Sequence, residues 1–175
     1  MMTLWMMFIS MAFSAAPVDG TYVHSCYSVE DDVLATQVSV SHGDWSILHT
    51  AFEDEACAKP YLIFELKYRA VVDSTNLDLQ TQEVSYVSLS DVVSRALNEV
   101  GYCGFTDWVT NEKKIVTGLL CDSYQASAAG DVLYSIFKID DGKSLFLGTP
   151  SASENGRTPG KRYRELESSP YIRAE

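Results

Sequence analysis

Alternating apolar and polar positions dominate the chain. From Tyr61 to Val72, Leu62, Phe64, Leu66, Tyr68 and Ala70 fall on one face, while Glu65, Lys67 and Arg69 fall on the other. This period of two is the signature of a half-buried strand. Val33 to Ser41 is rich in β-branched residues and runs into His42-Gly43-Asp44, a turn, after which Trp45 to Phe52 reads as the next strand. Taken as a three-residue turn, 42–44 sets Ser41 opposite Trp45, Val38 opposite Leu48 and Leu34 opposite Phe52. The polar loop that follows sets Phe52 opposite Leu62 and Leu48 opposite Leu66. In that register Leu34, Val38, Leu48, Phe52, Leu62, Phe64, Leu66 and Tyr68 share one apolar surface, and His49 faces away from it.

Glu83 to Leu89 reads as a fourth strand. Ser90 then caps a helix, DVVSRALNEV, that stops at Gly101, with Val92, Val93, Ala96, Leu97 and Val100 as its apolar stripe. Between Cys103 and Cys121 lie FTDWVT, a polar Asn111-Glu112-Lys113-Lys114 and IVTGLL, the pattern of a hairpin. Asp131 to Ile139 and Ser144 to Gly148 form a last hairpin around Asp141-Gly142, with Phe137 beside Phe146 and Ile136 beside Leu147. Thr149 to Lys161 is loop-like, and Glu165 to Arg173 returns as a short edge segment. Seven or eight strands with frequent turns and one short helix predict a mainly β, antiparallel barrel or sandwich. Consecutive hairpins sharing one apolar face favour the barrel.

The first sixteen residues break from this pattern. Thirteen of the sixteen are apolar, none is charged, and all five methionines fall within the first eleven positions. The stretch is the length of a signal-peptide core and too short for a membrane span, and Ser14-Ala15-Ala16 places small residues at a cleavage site before Pro17. The expectation is therefore a signal peptide over 1–16 and one barrel domain over 17–175. No second long apolar stretch follows, so no transmembrane anchor is expected after signal removal. An exported chain, periplasmic or extracellular, meets an oxidising compartment, where Cys26, Cys57, Cys103 and Cys121 form two disulfides. The hairpin pattern brings Cys103 opposite Cys121, which leaves Cys26 for Cys57.

Composition and charge narrow the chemistry. The chain has 175 residues, 46% of them hydrophobic, with 24 acids against 13 bases and a net charge of −11. Nucleic acid and anionic membrane surfaces demand a basic footprint and make poor partners, so no nucleic acid is expected. There is no G-x-S-x-G elbow, H-E-x-x-H or dinucleotide fingerprint, and the cysteines lack zinc spacing. His42 and His49 read as solvated residues around a turn, and His24 stands near a cysteine that a disulfide would leave without a thiolate. Glu30-Asp31-Asp32 and Glu53-Asp54-Glu55 lack the alternating ligands and glycine of a calcium loop and read as solvated turns. Arg157, Lys161, Arg162 and Arg164 read as a solvated basic loop. No catalytic residue, metal ligand or cofactor site emerges, and the chain is not expected to be an enzyme.

A set of landmarks carries a resemblance. Gly20-x-Tyr22-x-x-x-Cys26 opens the domain, and Phe52-x-Asp54-x-x-Cys57-x-x-Pro60 follows. Then come Asn98, Cys103-Gly104, Cys121, Leu145-Phe146-Leu147-Gly148, Arg157 and Ser169-Pro170-Tyr171. This order resembles the domain of the adenomatosis polyposis coli down-regulated family, known from animal Wnt antagonists and from bacterial exported proteins. The resemblance implies a lipocalin-like, half-open β-barrel with an apolar cavity and an affinity for acyl chains, here as a single copy. The expected function is binding of a lipid or other hydrophobic small molecule inside the barrel, with Trp45, Tyr68 and Tyr134 supplying polar edges at its mouth. The alternative is a protein-interaction module with a filled core.

Overall fold

The computed structural model describes residues 18–29 and 32–175. The expected signal peptide, and Glu30 and Asp31 of the first acidic cluster, lie outside the described residues. An antiparallel meander runs through β1 (Gly20–Val29), β2 (Asp32–Ser41), β3 (Asp44–Phe52), β4 (Pro60–Asp73) and β5 (Asn76–Ser88). After α1 (Asp91–Val100) come three short strands, β6 (Lys113–Ile115), β7 (Leu120–Cys121) and β8 (Tyr124–Gln125). The chain ends with β9 (Val132–Asp140), β10 (Ser144–Thr149), β11 (Glu165–Leu166) and β12 (Tyr171–Arg173). β9 pairs with both β5 and β10, and β12 bridges β10 and β1. The ring closes as an eight-stranded antiparallel barrel, as the hairpin pattern predicts. The last segment is thus no edge; it is the strand that joins the two ends of the sheet.

The register of β3 differs from the sequence reading by one residue. Only His42 and Gly43 form the turn, with φ of 51° and 85°, the positive pair that a two-residue type I′ hairpin needs. Ser41 therefore pairs with Asp44, Val40 with Trp45, Val38 with Ile47 and Thr36 with His49. Because strand side chains alternate, this slip turns the whole of β3 over. Trp45, Ile47, His49 and Ala51 face inward opposite Tyr68, Leu66, Phe64 and Leu62, while Leu48 and Phe52 are on the outer face. His49, read as solvated, is an interior residue.

β5 is longer than the strand read over 83–89. Its first half pairs with β9 and its second with β6, and a bulge at Gln82, opposite Lys67 and Tyr68 of β4, marks the division. In the last hairpin Leu147 pairs with Phe137, and Phe146 with Lys138. Phe137 and Leu147 thus share the inward face, where Phe137 and Phe146 were expected to share one face. Gly148 lets β10 lie close to its neighbour, since a Cβ there would be 2.6 Å from Ser135 Oγ.

Local signals place α1 well. The Ser90 side chain accepts a hydrogen bond from the Val93 amide, and Gly101 ends the helix in the left-handed conformation, φ 62°. The buried face differs from the expected stripe, because Val92 and Val100 are exposed and Ser94 is buried. Ser94 Oγ bonds to Ser88 Oγ and to Thr110 Oγ1, so a hydroxyl cluster docks the helix onto the end of β5.

Both disulfides form as expected, Cys26–Cys57 and Cys103–Cys121. The segment between Cys103 and Cys121 is not a hairpin. Residues 105–112 form an irregular loop held by Asn98, whose Oδ1 accepts from Trp108 N and whose Nδ2 donates to Trp108 O. The second half, β6, is bonded to β5 instead. The acidic loop is organised by Asp54, whose carboxylate accepts from the amides of Ala56, Ala58 and Lys59 and so presents Cys57. Arg162, expected in a solvated loop, packs on β9: it pairs with Asp78 at 2.6 Å, donates to Ser135 O and lies over the Tyr134 ring.

Candidate functional site: a barrel filled at one end

The inward-facing residues fall into two clusters. At the end nearest the β2–β3 turn, Tyr22, Val38, Trp45, Leu77 and Leu145 pack together and are almost wholly shielded from solvent. Full burial of such side chains stabilises by roughly 1.5–3 kcal/mol each, so this base is core. Toward the opposite end the inward row changes character. Leu34, His49, Ala51, Leu62, Phe64 and Leu66 are only partly buried. The barrel is packed at its base and opens into a partly solvated, aromatic mouth.

The segment after β5 covers one side of that mouth. α1 and the Cys103–Cys121 loop bring Tyr102, Phe105 and Trp108 over Val84 and Tyr86, and this second cluster meets the barrel at Leu62, Phe64 and Leu66. The Phe64 ring stacks on Tyr86 at 4.7 Å and meets the Tyr124 ring edge-on at 5.7 Å. Tyr86 in turn meets Tyr102 at 5.6 Å. Burial raises the Tyr86 and Tyr124 hydroxyl pKa values, so both remain neutral.

A polar path crosses the opposite wall. Thr36 Oγ1, itself buried, lies 2.7 Å from the Tyr27 hydroxyl and 2.8 Å from His49 Nδ1. Burial lowers the His49 pKa, which keeps the imidazole neutral at neutral pH. A neutral ring bonded through Nδ1 stacks at 6.0 Å on Phe64, which links the hydroxyl pair to the aromatic side. His24 lies flat on Tyr27 at 4.3 Å. The mouth thus offers apolar and aromatic surface with a few fixed polar groups, the composition of a small-molecule site.

Six of the eight residues expected to line the interior do face inward. Leu34, Leu62, Phe64 and Leu66 belong to the mouth, and Val38 and Tyr68 to the packed base; Leu48 and Phe52 are outside. Trp45 and Tyr68 are not polar edges at the mouth, being 2% and 6% exposed within the base. Tyr134 sits beneath Arg162, away from the mouth. Sequence reasoning missed His24, Tyr27, Thr36, His49, Tyr86 and Tyr124. The signal was present in His42-Gly43, a dipeptide suited to a two-residue turn, which alone restores His49 to the inward face. Among the described residues no three His, Cys, Asp or Glu side chains gather as a metal site, and no helix is long and apolar enough to cross a membrane. No protein-family model matches this chain, and no curated protein matches it.

Proposed function

We propose that this chain is an exported, non-enzymatic carrier of a lipid or another hydrophobic small molecule, held in the mouth half of the barrel. The observation that supports the reading best is the contrast between the two ends. Leu34, Leu62, Phe64 and Leu66 remain partly exposed on the inward face, beside a base whose side chains are almost completely buried. Disulfides and the apolar amino-terminal stretch support export. The resemblance to the adenomatosis polyposis coli down-regulated domain supports an acyl chain as the apolar part of the ligand.

Native mass spectrometry of the mature protein, purified gently from the exported fraction, tests this. The expected result is an added mass that organic extraction removes and that Phe64→Asp abolishes while the fold persists. A bare polypeptide that also takes up neither a fatty carboxylate (dodecanoate, hexadecanoate), nor neutral dodecanol, nor dodecyltrimethylammonium refutes the reading. A second reading, a protein-interaction module, is favoured by the exposed apolar residues Val100 and Leu120 on the covering segment, 74% and 62% exposed. In that case Val100→Ser and Leu120→Ser would abolish capture of a partner, and interior substitutions would act only through unfolding.

A further inference from the structure

β12 joins β1 to β10 over only Tyr171–Arg173, through pairs at Tyr22, Val23, Ser144 and Leu145. Beyond Tyr171, toward the mouth, β12 no longer bridges the two strands. The gap is a cleft of about 710 Å³, walled by His24, Tyr27 and Val29 of β1 and by Leu166 and Glu167, with Tyr171 at its closed end. The His24 ring meets Tyr171 edge-on at 5.6 Å. Tyr27 stands opposite Leu34 in the β1–β2 register and bonds Thr36, so the cleft and the mouth share a wall.

Glu167 is the charged group in this cleft, and no lysine or arginine lines it. Among the described residues no lysine or arginine forms an ion pair with its carboxylate. Its amide donates to Leu147 O at 2.9 Å, which fixes the backbone that carries it. Burial raises the carboxyl pKa, and the neighbouring Tyr171 hydroxyl only partly offsets this. A part-buried carboxylate without a counter-charge is costly, and such groups concentrate where a ligand completes the site. Tyr27 and Tyr171 also line the cleft, and aromatic ring faces attract a cation that carries hydrocarbon substituents.

We propose that this cleft seats the organic ammonium head group of an amphiphile, with Glu167 opposing its charge and Tyr27 and Tyr171 flanking its substituents, while the hydrocarbon chain enters the mouth. The inference rests on the carrier reading and adds the ligand's charge. A carboxylate head would meet Glu167 as a like charge, and a neutral head would leave Glu167 without a counter-charge. The order of affinity at equal chain length is therefore ammonium, then neutral, then carboxylate.

Calorimetric titration of the mature protein with dodecyltrimethylammonium and with dodecanoate, each below its micelle concentration, tests this order. The wild type is expected to bind the ammonium amphiphile about tenfold more tightly, or about 1.4 kcal/mol. Glu167→Gln should bring the two within about threefold, or about 0.7 kcal/mol. Glu99→Gln, which removes the same charge from an exposed position on α1, should leave the preference intact. Tetramethylammonium chloride should weaken binding of the ammonium amphiphile to the wild type more than sodium chloride at equal ionic strength. Equal or tighter binding of dodecanoate overturns the inference. So does a preference that survives Glu167→Gln, or equal competition by the two salts, since either outcome traces the preference to the net charge. If neither amphiphile nor neutral dodecanol binds, the carrier reading fails with it; if dodecanoate binds and no preference appears, the carrier reading stands and this inference alone falls.

Discussion

Two leucines on the inward face, one at each end of the barrel, test whether the mouth is a site or a second core. Leu145 is 0% exposed and packs in the base cluster, whereas Leu62 is only part-buried at the mouth. Truncating a fully buried leucine to alanine removes its transfer free energy and leaves a cavity, together about 3–4 kcal/mol for a site so enclosed. At the mouth, solvent already reaches part of the side chain and little enclosed cavity results, so about 1 kcal/mol is expected for Leu62→Ala. For a domain of this size each kcal/mol moves Tm by about 2–4 °C, giving roughly 6–16 °C for Leu145→Ala and at most about 4 °C for Leu62→Ala. Two buried tryptophans outside the amino-terminal stretch allow each end to be followed: Trp45 lies in the base and Trp108 in the covering cluster. Urea unfolding monitored by fluorescence, with Trp45→Phe and Trp108→Phe backgrounds, reports both. A Leu62→Ala cost equal to that of Leu145→Ala would refute the reasoning, because it would make the mouth close-packed core with no room for a ligand.

Three further outcomes follow from the packing. Replacing a cystine by two serines should cost about 3.2 kcal/mol for Cys103–Cys121 and about 3.7 kcal/mol for Cys26–Cys57, from loop-closure entropy over sequence separations of 18 and 31; denaturant midpoints check this, and loss of the first should red-shift Trp108 before Trp45. Gly148→Ala drives a Cβ to 2.6 Å from Ser135 Oγ and 3.0 Å from Tyr163 Cβ, and overpacking of this kind costs about 1–3 kcal/mol; an unchanged Tm would contradict the close approach. Burial alone would raise the Glu65 carboxyl, but Lys113, Ser46 and Lys67 together hold it below its ordinary value, and Lys113 does the same for Glu83. Both carboxylates therefore add stability above their ordinary pKa of 4.5 that is lost as pH falls through the lowered values. Lys113→Met should flatten this acid limb in melts between pH 7 and 3, and an unaltered slope would count against it.

The extent of α1, the hairpin at Asp141-Gly142, the alternation of β4 and the cysteine pairing were all legible in the sequence. The first three depend on contacts between near neighbours along the chain: a cap, a positive-φ turn and a period of two. The cysteine pairing forms as read although the hairpin it was argued from does not, since β6 pairs with β5. β3 was not legible, and the reason is specific. In Trp45-Ser46-Ile47-Leu48-His49-Thr50-Ala51-Phe52 both alternating sets contain large apolar residues, so hydrophobicity does not choose between the faces. The turn at His42-Gly43 chooses, and only the barrel's closure shows what that choice encloses.

By itself, then, the sequence determined a disulfide-bonded antiparallel β protein with one capped helix and no catalytic signature. The tertiary structure decided what the inward face of β3 encloses, and with it that His49, Thr36 and Tyr27 meet. It also decided that β12 joins the two ends of the sheet for only three residues, which leaves the cleft beside Glu167. Such features come from pairings between residues far apart in the chain. Local propensity carries no information about those pairings, because each depends on where the rest of the sheet has already been placed.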